Sequence, residues 1–482
     1  MQSPTDAGIG AQFGRRDPDL VELPLSALQQ RIWFLCTSYS GDASPIIYVA
    51  LRIRGPLVVD AWLRAVRAVV DRHESLRTRF VGTVEDPAQV VTPTSDVEVE
   101  LLDVSDAPEP ERPQRARELI AARKNVLLDM TKDRLVGSCL VRLADDDHVW
   151  CLTMHHIISD ATSIDIIEHE MRAFYLAFVT GTEPAVPELP VQYGDFAVWQ
   201  QTEAALAEQE EDLLFWREQL AGVPPLELPT DAPRPAEKGT RGAEVRRRVD
   251  PELAQRLEQL AETERCTPFM AVLTVLEALL GSCSGQDDFC IGTPLAGRTQ
   301  LAVERLVGLF ANTVAIRADL SGDPTFRELL ARTRGTAIDA LDCQDVPFGR
   351  IVAELDLPAD RSRTQVFQVI FVMRTQFDIQ QVELSGLTIE PFHLGSPPII
   401  HDLVVDAWRG PTGLYLLFRY DSALFEQGTA EAMARRFERL LRAAVDNPQA
   451  RLSELATLSE AEEPAARSEA EEPAAVSQGN AH

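Results

Sequence analysis

Two adjacent histidines, with an aspartate four residues after the second, are the side chains in this sequence best suited to chemistry. The run Met154 to Ala161 contains His155, His156 and Asp160, and it follows an apolar segment that predicts a strand. An imidazole titrates near neutral pH, so it can accept a proton from a nucleophile or hold the nucleophile by hydrogen bonding. The carboxylate of Asp160 could instead pair with an arginine and fix the shape of the loop.

A histidine pair is not a specific signal by itself, because buried histidines often have only a structural role. A metal site is a weaker alternative, since no cysteine or third histidine follows at a spacing typical of zinc ligands. The segment from Arg72 to Phe80 is basic in an otherwise acidic chain and ends a predicted helix. Such a cluster commonly complements the helix dipole. The functional alternative is that one of its arginines reaches Asp160.

Composition restricts the class of protein. The chain has 482 residues, enough for two domains, with 45% hydrophobic and 25% charged residues. A net charge of -29 argues against nucleic acid or an anionic membrane as a partner. The first twenty residues carry no signal-peptide pattern, which predicts a cytoplasmic location. The seven cysteines are scattered singly and predict neither a disulfide framework nor a zinc site.

Hydrophobic periodicity predicts the elements that must position these groups. A strand is predicted at 46–54 and a hairpin at 134–143 and 148–154, with a helix directly after the histidines. Further helices are predicted near 26–35, 58–71, 114–127, 200–216, 251–263, 268–280, 326–341 and 429–445, and further strands near 289–298, 307–317, 366–373, 401–407 and 414–420.

A proline-rich passage at 184–190 marks the predicted boundary between two halves. We expect a flexible lead at 1–20, an N-terminal lobe at 21–182 that carries the histidines, and a C-terminal lobe at 190–455. Residues 456–482 repeat an acidic Ser-Glu-Ala-Glu-Glu-Pro-Ala-Ala tract without hydrophobic anchors, which predicts a disordered acidic tail.

An ordered series of segments between residues 22 and 455 resembles the condensation domains of nonribosomal peptide synthetases, in the chloramphenicol acetyltransferase-like superfamily. The core His-His-x-x-x-Asp pattern of that family is matched at 155–160. The series consists, in chain order, of Leu25 to Trp33, Arg72 to Thr78, His155 to Asp160, Tyr193 to Trp199, Ile291 to Pro294 with Val307 to Thr313, Gln344 to Phe348, and Arg361 to Arg363.

The resemblance implies an α/β (α+β) fold of two chloramphenicol acetyltransferase-like lobes in a V-shaped pseudo-dimer, each a mixed sheet flanked by helices. It implies an active site at the lobe junction, reached through a tunnel by the phosphopantetheine arms of carrier proteins. One arm would bear an acyl thioester donor and the other an acceptor amine. The domain itself would bind no cofactor and no metal.

The same resemblance implies roles for individual residues. His156 would lie beside the acceptor nucleophile, as a general base or as a hydrogen-bonding positioner, and His155 would orient the loop. Asp160 would be structural and paired with Arg72 or Arg77.

Three further residues, Ser159, Ala161 and Asn312, are expected near the tunnel, although Asn312 could instead stabilise a turn. The family usually has glycine after the aspartate, and this chain has Ala161. If φ were positive there, alanine would cost about 1 kcal/mol. The departure leaves open a weakened or repurposed site.

We therefore expect an acyltransferase that forms an amide or an ester in the biosynthesis of nonribosomal peptides, antibiotics or related natural products. Its donor would be a carrier-bound acyl group, and its acceptor a small-molecule or carrier-bound amine or alcohol. No adenylation-type loop or carrier-type attachment motif is present, which predicts a free-standing enzyme or an excised piece of a larger synthetase. The alternative is a catalytically silent, condensation-like module that recruits a carrier protein or a tailoring enzyme. Ala161 favours this alternative, and the intact histidine pair opposes it.

Overall fold

Two six-stranded mixed sheets with flanking helices, and a small three-stranded sheet, make up the fold. The computed structural model describes residues 14–461, except for 18, 39–45, 95–96, 125–128, 133, 359, 375–381, 396–397 and 411. The strands in these residues are β1 Glu22–Pro24, β2 Ile46–Arg54, β3 Thr78–Gly82, β4 Pro87–Val91, β5 Val99–Asp103, β6 Val136–Ala144, β7 Asp147–His155, β8 Gly242–Val249, β9 Asp288–Leu295, β10 Asn312–Asp319, β11 Phe367–Arg374, β12 Val382–Leu384, β13 Leu387–Pro391, β14 Leu403–Gly410 and β15 Gly413–Asp421. The helices are α1 Ala27–Ser38, α2 Val59–Arg72, α3 Arg112–Lys124, α4 Ala161–Thr180, α5 Tyr193–Trp199, α6 Glu203–Gln219, α7 Pro251–Thr263, α8 Pro268–Ser284, α9 Phe326–Asp342, α10 Phe348–Glu354, α11 Gln427–Asp446 and α12 Leu452–Ala461.

The first sheet carries the histidine segment at the end of its strand β7. Its strand order is β12, β13, β2, β7, β6 and β5, and only β5 and β6 run parallel. Apolar residues on one face of β7 pack against helices α2 and α4. There Trp62 lies edge-on to both Trp150 and Tyr175, with ring centroids 5.4 and 5.5 Å apart. Helix α3 covers part of the other face.

The second sheet has the order β10, β9, β11, β14, β15 and β8, and its central strand β11 runs parallel to both neighbours. Helix α8 is apolar on nearly every side and is buried against α7, α9 and α11. This packing is typical of a helix in the interior of a large domain. Among the described residues, no single helix has the length and hydropathy of a membrane span; only α7 and α8 jointly would, across a bend of 107°.

A hairpin from the second half of the chain completes the first sheet. Strand β13 pairs antiparallel with β2, with Ile389 opposite Ile53 and Thr388 opposite Arg54. Ion pairing between Arg54 and Glu390, at 2.9 Å, lies at the same junction. The chain between β11 and β14 of the second sheet therefore supplies two strands to the first sheet, in addition to the chain connection at 181–192.

Sequence periodicity predicted most of these elements. Strand β2 and helix α7 have the predicted bounds, and the predicted hairpin is formed by β6 and β7. The prediction missed strand β8, the β12–β13 hairpin and the three-stranded sheet of β1, β4 and β3. Helix α12 extends to Ala461 and so overlaps the start of the predicted tail. The rest of that tail, and most of the predicted lead, lie outside the described residues.

Candidate active site at the histidine loop

The histidine loop, residues 155–160, joins strand β7 to helix α4. Its residues 156–158 form one 3₁₀ turn, and α4 begins at Ala161. Ile157, Ile158, Ser159 and Asp160 are buried, whereas the side chain of His156 is only partly so. The loop thus presents a single imidazole and hides its other side chains.

The ring of His156 has a fixed orientation. Its Nδ1 lies 2.7 Å from the carbonyl oxygen of Ser159. Because a carbonyl can only accept, Nδ1 carries a hydrogen, and in the neutral ring the lone pair is on Nε2. Within the described part of the chain, no hydrogen bond engages Nε2. The ring is therefore arranged to accept a proton or a hydrogen bond from an incoming group.

His155 is fully buried and shapes the turn. Its Nδ1 accepts the backbone N–H of Ile157 at 3.1 Å, as a side-chain cap of the 3₁₀ turn. Burial, together with the neighbouring His156, lowers the pKa of His155 to about 4. The ring is neutral at pH 7, and its Nε2–H has no partner among the described residues. These contacts indicate that His155 stabilises the conformation of the loop.

Asp160 connects the histidine loop to the loop between β9 and β10, residues 296–311, hereafter the 296–311 loop. It caps helix α4, accepting the backbone N–H of Ser163 at 2.8 Å. Its Oδ2 accepts the N–H groups of Phe310 and Ala311 at 3.0 and 3.1 Å. Arg298 donates to both oxygens at 2.9 and 3.0 Å. A buried carboxylate needs such saturation, since an unpaired one would be strongly destabilising.

The expectation that Asp160 pairs with Arg72 or Arg77 is wrong. Arg72 ends helix α2 and its Nε binds Glu170 at 2.9 Å. The guanidinium of Arg77 is bound to the backbone carbonyls of Asp71 and Thr92. Asp160 is paired instead with Arg298 of the 296–311 loop, whose guanidinium also lies over the ring of Phe310, 4.6 Å from the centroid.

The Arg72 to Thr78 segment instead holds the 296–311 loop. His73 lies 2.9 Å from Glu170 through Nε2, and its Nδ1 faces the N–H of Val307 at 3.4 Å. The hydroxyl of Ser75 donates to the carbonyl of Val307 at 2.7 Å. Helix α2, helix α4 and the 296–311 loop are thereby joined behind the histidine loop.

Two glycines let the 296–311 loop approach its neighbours. Gly297 has φ of +62°, and a Cβ there would lie 1.9 Å from the carbonyl oxygen of Phe310. A Cβ on Gly308 would lie 2.1 Å from the ring of Tyr193. The hydroxyl of Tyr193 donates to the carbonyl of Leu309 at 2.7 Å. Only glycine is compatible with this packing at both positions.

Sequence reasoning also missed Gln29 and Ser163. The amide Nε2 of Gln29 donates to the carbonyl of Ile157 at 3.1 Å, so helix α1 supports the histidine loop directly. The hydroxyl of Ser163 lies 2.8 Å from Asp160 and 3.0 Å from the backbone of Gly308. The pattern Asp-x-x-Ser at the start of a helix could have predicted the contact between Asp160 and Ser163.

The three residues expected near the tunnel have different local surroundings. Ser159 is fully buried, and its carbonyl orients His156. Asn312 is buried and holds the segment before α10, since its amide binds the backbone of Gln344, Val346 and Phe348 at 2.7–3.0 Å. Ala161 is the exposed first residue of α4 and has no positive φ. The strain considered for alanine at this position is therefore absent.

The sequence matches the family profile described as Condensation domain over residues 20–465. It is 38% identical to one of the linear gramicidin synthase subunits of Brevibacillus parabrevis, over 91% of this chain and 9% of that protein. It is 36% identical to phosphinothricin tripeptide synthetase PhsC of Streptomyces viridochromogenes over 93% of this chain and 41% of that protein. The chain thus spans a minor part of these relatives.

Solved structures are similar over almost the whole chain. The complex of the X-domain and OxyB from teicoplanin biosynthesis contains a chain with 31% identity and a TM-score of 0.82, covering 93% of this chain and 98% of that one. The starter condensation domain of rhizomide synthetase RzmA has 20% identity and a TM-score of 0.74 over 90% of this chain and 96% of that one. At that identity the likeness shows the fold alone.

Proposed function

This chain belongs to the condensation domain family of nonribosomal peptide synthetases, and on that premise we propose that it is an acyltransferase. It transfers an acyl group from a carrier-bound thioester to an amine or an alcohol, and His156 acts on the nucleophile. The donor is presented on the phosphopantetheine arm of a carrier protein. The acceptor is either carrier-bound or free.

The orientation of His156 is the observation that carries this proposal. Its Nδ1 is fixed by the Ser159 carbonyl at 2.7 Å, and its Nε2 is available to a substrate. Around it, His155, Asp160 and Gln29 make contacts that fix the backbone of the loop. A site of this kind holds one proton acceptor, the imidazole of His156, in a fixed position on a rigid loop.

The chemistry requires little beyond this arrangement. The neutral amine attacks the thioester carbonyl, the C–N bond forms, and the C–S bond breaks. Nε2 of His156 accepts the proton that the nitrogen loses and passes it to the departing sulfur, so the phosphopantetheine leaves as a thiol and the imidazole is neutral again. Because a thioester is already activated, holding the two reactants together supplies much of the acceleration. An alcohol would follow the same steps and give an ester.

The test compares product formation by wild type, His156→Ala and His169→Ala. His169 is exposed on helix α4, so its removal is a matched control for loss of an imidazole. Donors are acyl groups loaded on a carrier protein, and acceptors are amino acids and alcohols, free or carrier-bound, with products identified by mass spectrometry. We expect wild-type turnover to persist in His169→Ala and to fall about 100-fold or more in His156→Ala. Full turnover in His156→Ala would contradict the role of this residue.

His156 could act as a general base or could only position the nucleophile, and these two roles predict different losses of rate in His156→Ala for different acceptors. If it removes a proton from the ammonium form of the acceptor before attack, acceptors whose amine is already neutral at the assay pH should lose less rate in His156→Ala. If it only positions the nucleophile, the loss should be the same for all amines. Comparing an alkylamine with a weakly basic hydrazine in both variants separates the two roles.

A recruiting module is the second candidate, favoured by the likeness to the X-domain that was solved in complex with OxyB. In this case the chain would bind a partner enzyme and would transfer no acyl group. Ala161 no longer supports this candidate, because its backbone is unstrained. Turnover of any carrier-bound thioester that depends on His156 would exclude a purely recruiting role.

A further inference from the structure

A cavity of about 440 Å³ lies on the face of the first sheet that carries helix α3. Its lining includes Gly137, Cys139, Cys151 and Thr153 of strands β6 and β7, and Ile120 of α3. The cavity volume is in the range of sites for small organic groups. None of the contacts described for the histidine loop involves these residues.

Small side chains at neighbouring positions create the hollow. Gly137 pairs with Thr153, and Cys139 pairs with Cys151, so all four share one face of the β6–β7 hairpin. Larger residues at these positions would fill the space between the sheet and α3. A Cβ on Gly137 would already lie 2.9 Å from the hydroxyl of Thr153.

The cavity is lined by both apolar and charged side chains. Cys139 and Cys151 are buried, and burial raises the pKa of the Cys139 thiol to about 11, so this thiol stays uncharged. Arg123 pairs with the exposed Glu100 at 2.5 Å. The formal charges of the lining balance, because its charged residues are two glutamates and two arginines: Glu98, Glu100, Arg123 and Arg134. A balanced lining favours an uncharged group over an ion.

The lining of the cavity reaches the end of strand β7 that leads into the histidine loop. Two of its lining residues are register partners of the residues that lead into the histidine loop: Val136 pairs with Met154, and Ile46 pairs with His155. Thr153 precedes His156 by three residues, which is about 10 Å along an extended strand. A group that occupies the cavity could therefore belong to a molecule whose reactive end meets His156.

We propose that this cavity binds the apolar side chain of the acyl or aminoacyl group that reacts at His156, and that Thr153 limits the size of that side chain. The inference rests on the proposed function, and it adds a class of substrate: groups with a short aliphatic or aromatic side chain. The same chemistry could come from the donor thioester or from the acceptor amine.

Binding and turnover are measured separately. Isothermal titration calorimetry compares hexanoyl with acetyl N-acetylcysteamine thioesters as donor probes, and norleucine with glycine methyl esters as acceptor probes. The probe pair that shows the longer-chain preference identifies the source. We expect about tenfold tighter binding of the longer member of one pair, because its methylenes leave water. His156→Ala should keep this preference while losing turnover.

Thr153→Leu fills the cavity, and Thr388→Leu is its matched control. Thr388 lies on β13 of the same sheet and does not line the cavity. We expect Thr153→Leu to abolish the preference and Thr388→Leu to retain it. Equal affinity for the short and long probes in wild type would overturn the proposal, as would an unchanged preference in Thr153→Leu. Loss of turnover with every substrate, with the binding preference retained, would overturn the proposed function alone.

Chemical filling covers the case in which Thr153→Leu does not fold. Thr153→Cys is treated with methyl or benzyl methanethiosulfonate, and wild type treated in the same way controls for the native cysteines. We expect the benzyl adduct to remove the chain-length preference, the methyl adduct to weaken it, and a reductant to restore it. A preference that survives the benzyl adduct would overturn the proposal.

Discussion

Arg298 and Asp160 lie 138 residues apart in sequence and are joined by two hydrogen bonds of 2.9 and 3.0 Å. Their side chains are 4% and 0% exposed, so solvent screens this pair very little. The pair connects the 296–311 loop to the start of helix α4. The conformation of the histidine loop therefore depends on a residue from a loop between two strands of the other sheet.

Arg298→Gln should destabilise the protein by about 3–5 kcal/mol, because it leaves the carboxylate of Asp160 buried without its cation. Arg305→Gln is the matched control, since Arg305 is exposed on the same loop. Urea denaturation measures the free energy of unfolding of both variants. By the same reasoning Asp160→Ala should lose stability together with activity, and a fully stable Asp160→Ala protein would contradict the structural role.

Replacing His155 and replacing His156 should have different effects on stability. His156→Ala is expected to change the free energy of unfolding by less than about 1 kcal/mol, because its ring makes a single hydrogen bond near the surface. His155→Ala should cost about 2–4 kcal/mol, since it leaves a hole and an unpaired N–H at Ile157. Chemical denaturation of both variants, beside the turnover assay, tests this assignment; equal stability losses would refute it.

Acid should destabilise the folded chain in part through His155. Its folded pKa is about 4, below the ordinary value of 6.5, so the unfolded chain takes up the proton first. This contribution to stability is complete above pH 6.5 and is lost as pH falls from 6.5 towards 4. His155→Asn retains an acceptor for Ile157 but does not titrate. Its unfolding free energy should depend less on pH across this window than that of wild type.

Glu277 should make the folded chain less stable as pH rises, which is opposite to the effect of His155. It is fully buried in helix α8, and burial raises its pKa from 4.5 to about 8. The folded state holds the proton more tightly, so this contribution is complete below pH 4.5 and is lost as pH rises towards 8. Glu277→Gln should therefore be more stable relative to wild type at pH 8 than at pH 5. A difference that does not change with pH would show that Glu277 is ionised in the fold.

Ala161→Gly should not improve the enzyme. Ala161 is the first residue of α4 and has no positive φ, so glycine removes no strain. We expect a loss of stability of about 0.5–1 kcal/mol and an unchanged rate. A large gain in turnover on Ala161→Gly would mean that the backbone at this position limits the reaction.

Local sequence was sufficient to predict the β6–β7 hairpin and helix α4, and to single out His156 as a candidate for chemistry, because periodicity and residue type act over a few positions. It was not sufficient to pair Asp160 with Arg298. Charge shows that a buried carboxylate needs a cation, but only tertiary packing decides which arginine reaches it. Arg72 and Arg77 belong to a motif of the resembled family, which made them the expected partners. In the structure Arg72 binds Glu170, and Arg77 binds backbone carbonyls.

Short strands were missed for a related reason. Strand β13 has five residues, too few for a clear alternation of burial, and its partner β2 lies more than 300 residues earlier in the chain. Its place in the sheet is determined by where the second half of the chain docks. That information is not contained in the residues around Leu387.

During protein synthesis, strand β2 is made long before its partner β13. While the ribosome is still producing residues before 387, strand β2 exposes a full row of backbone donors and acceptors on its outer side. Nascent chains in this state are vulnerable to pairing with one another. A fragment ending near residue 190 would keep that vulnerability permanently, so we expect it to aggregate during expression, whereas the complete chain closes its own edge.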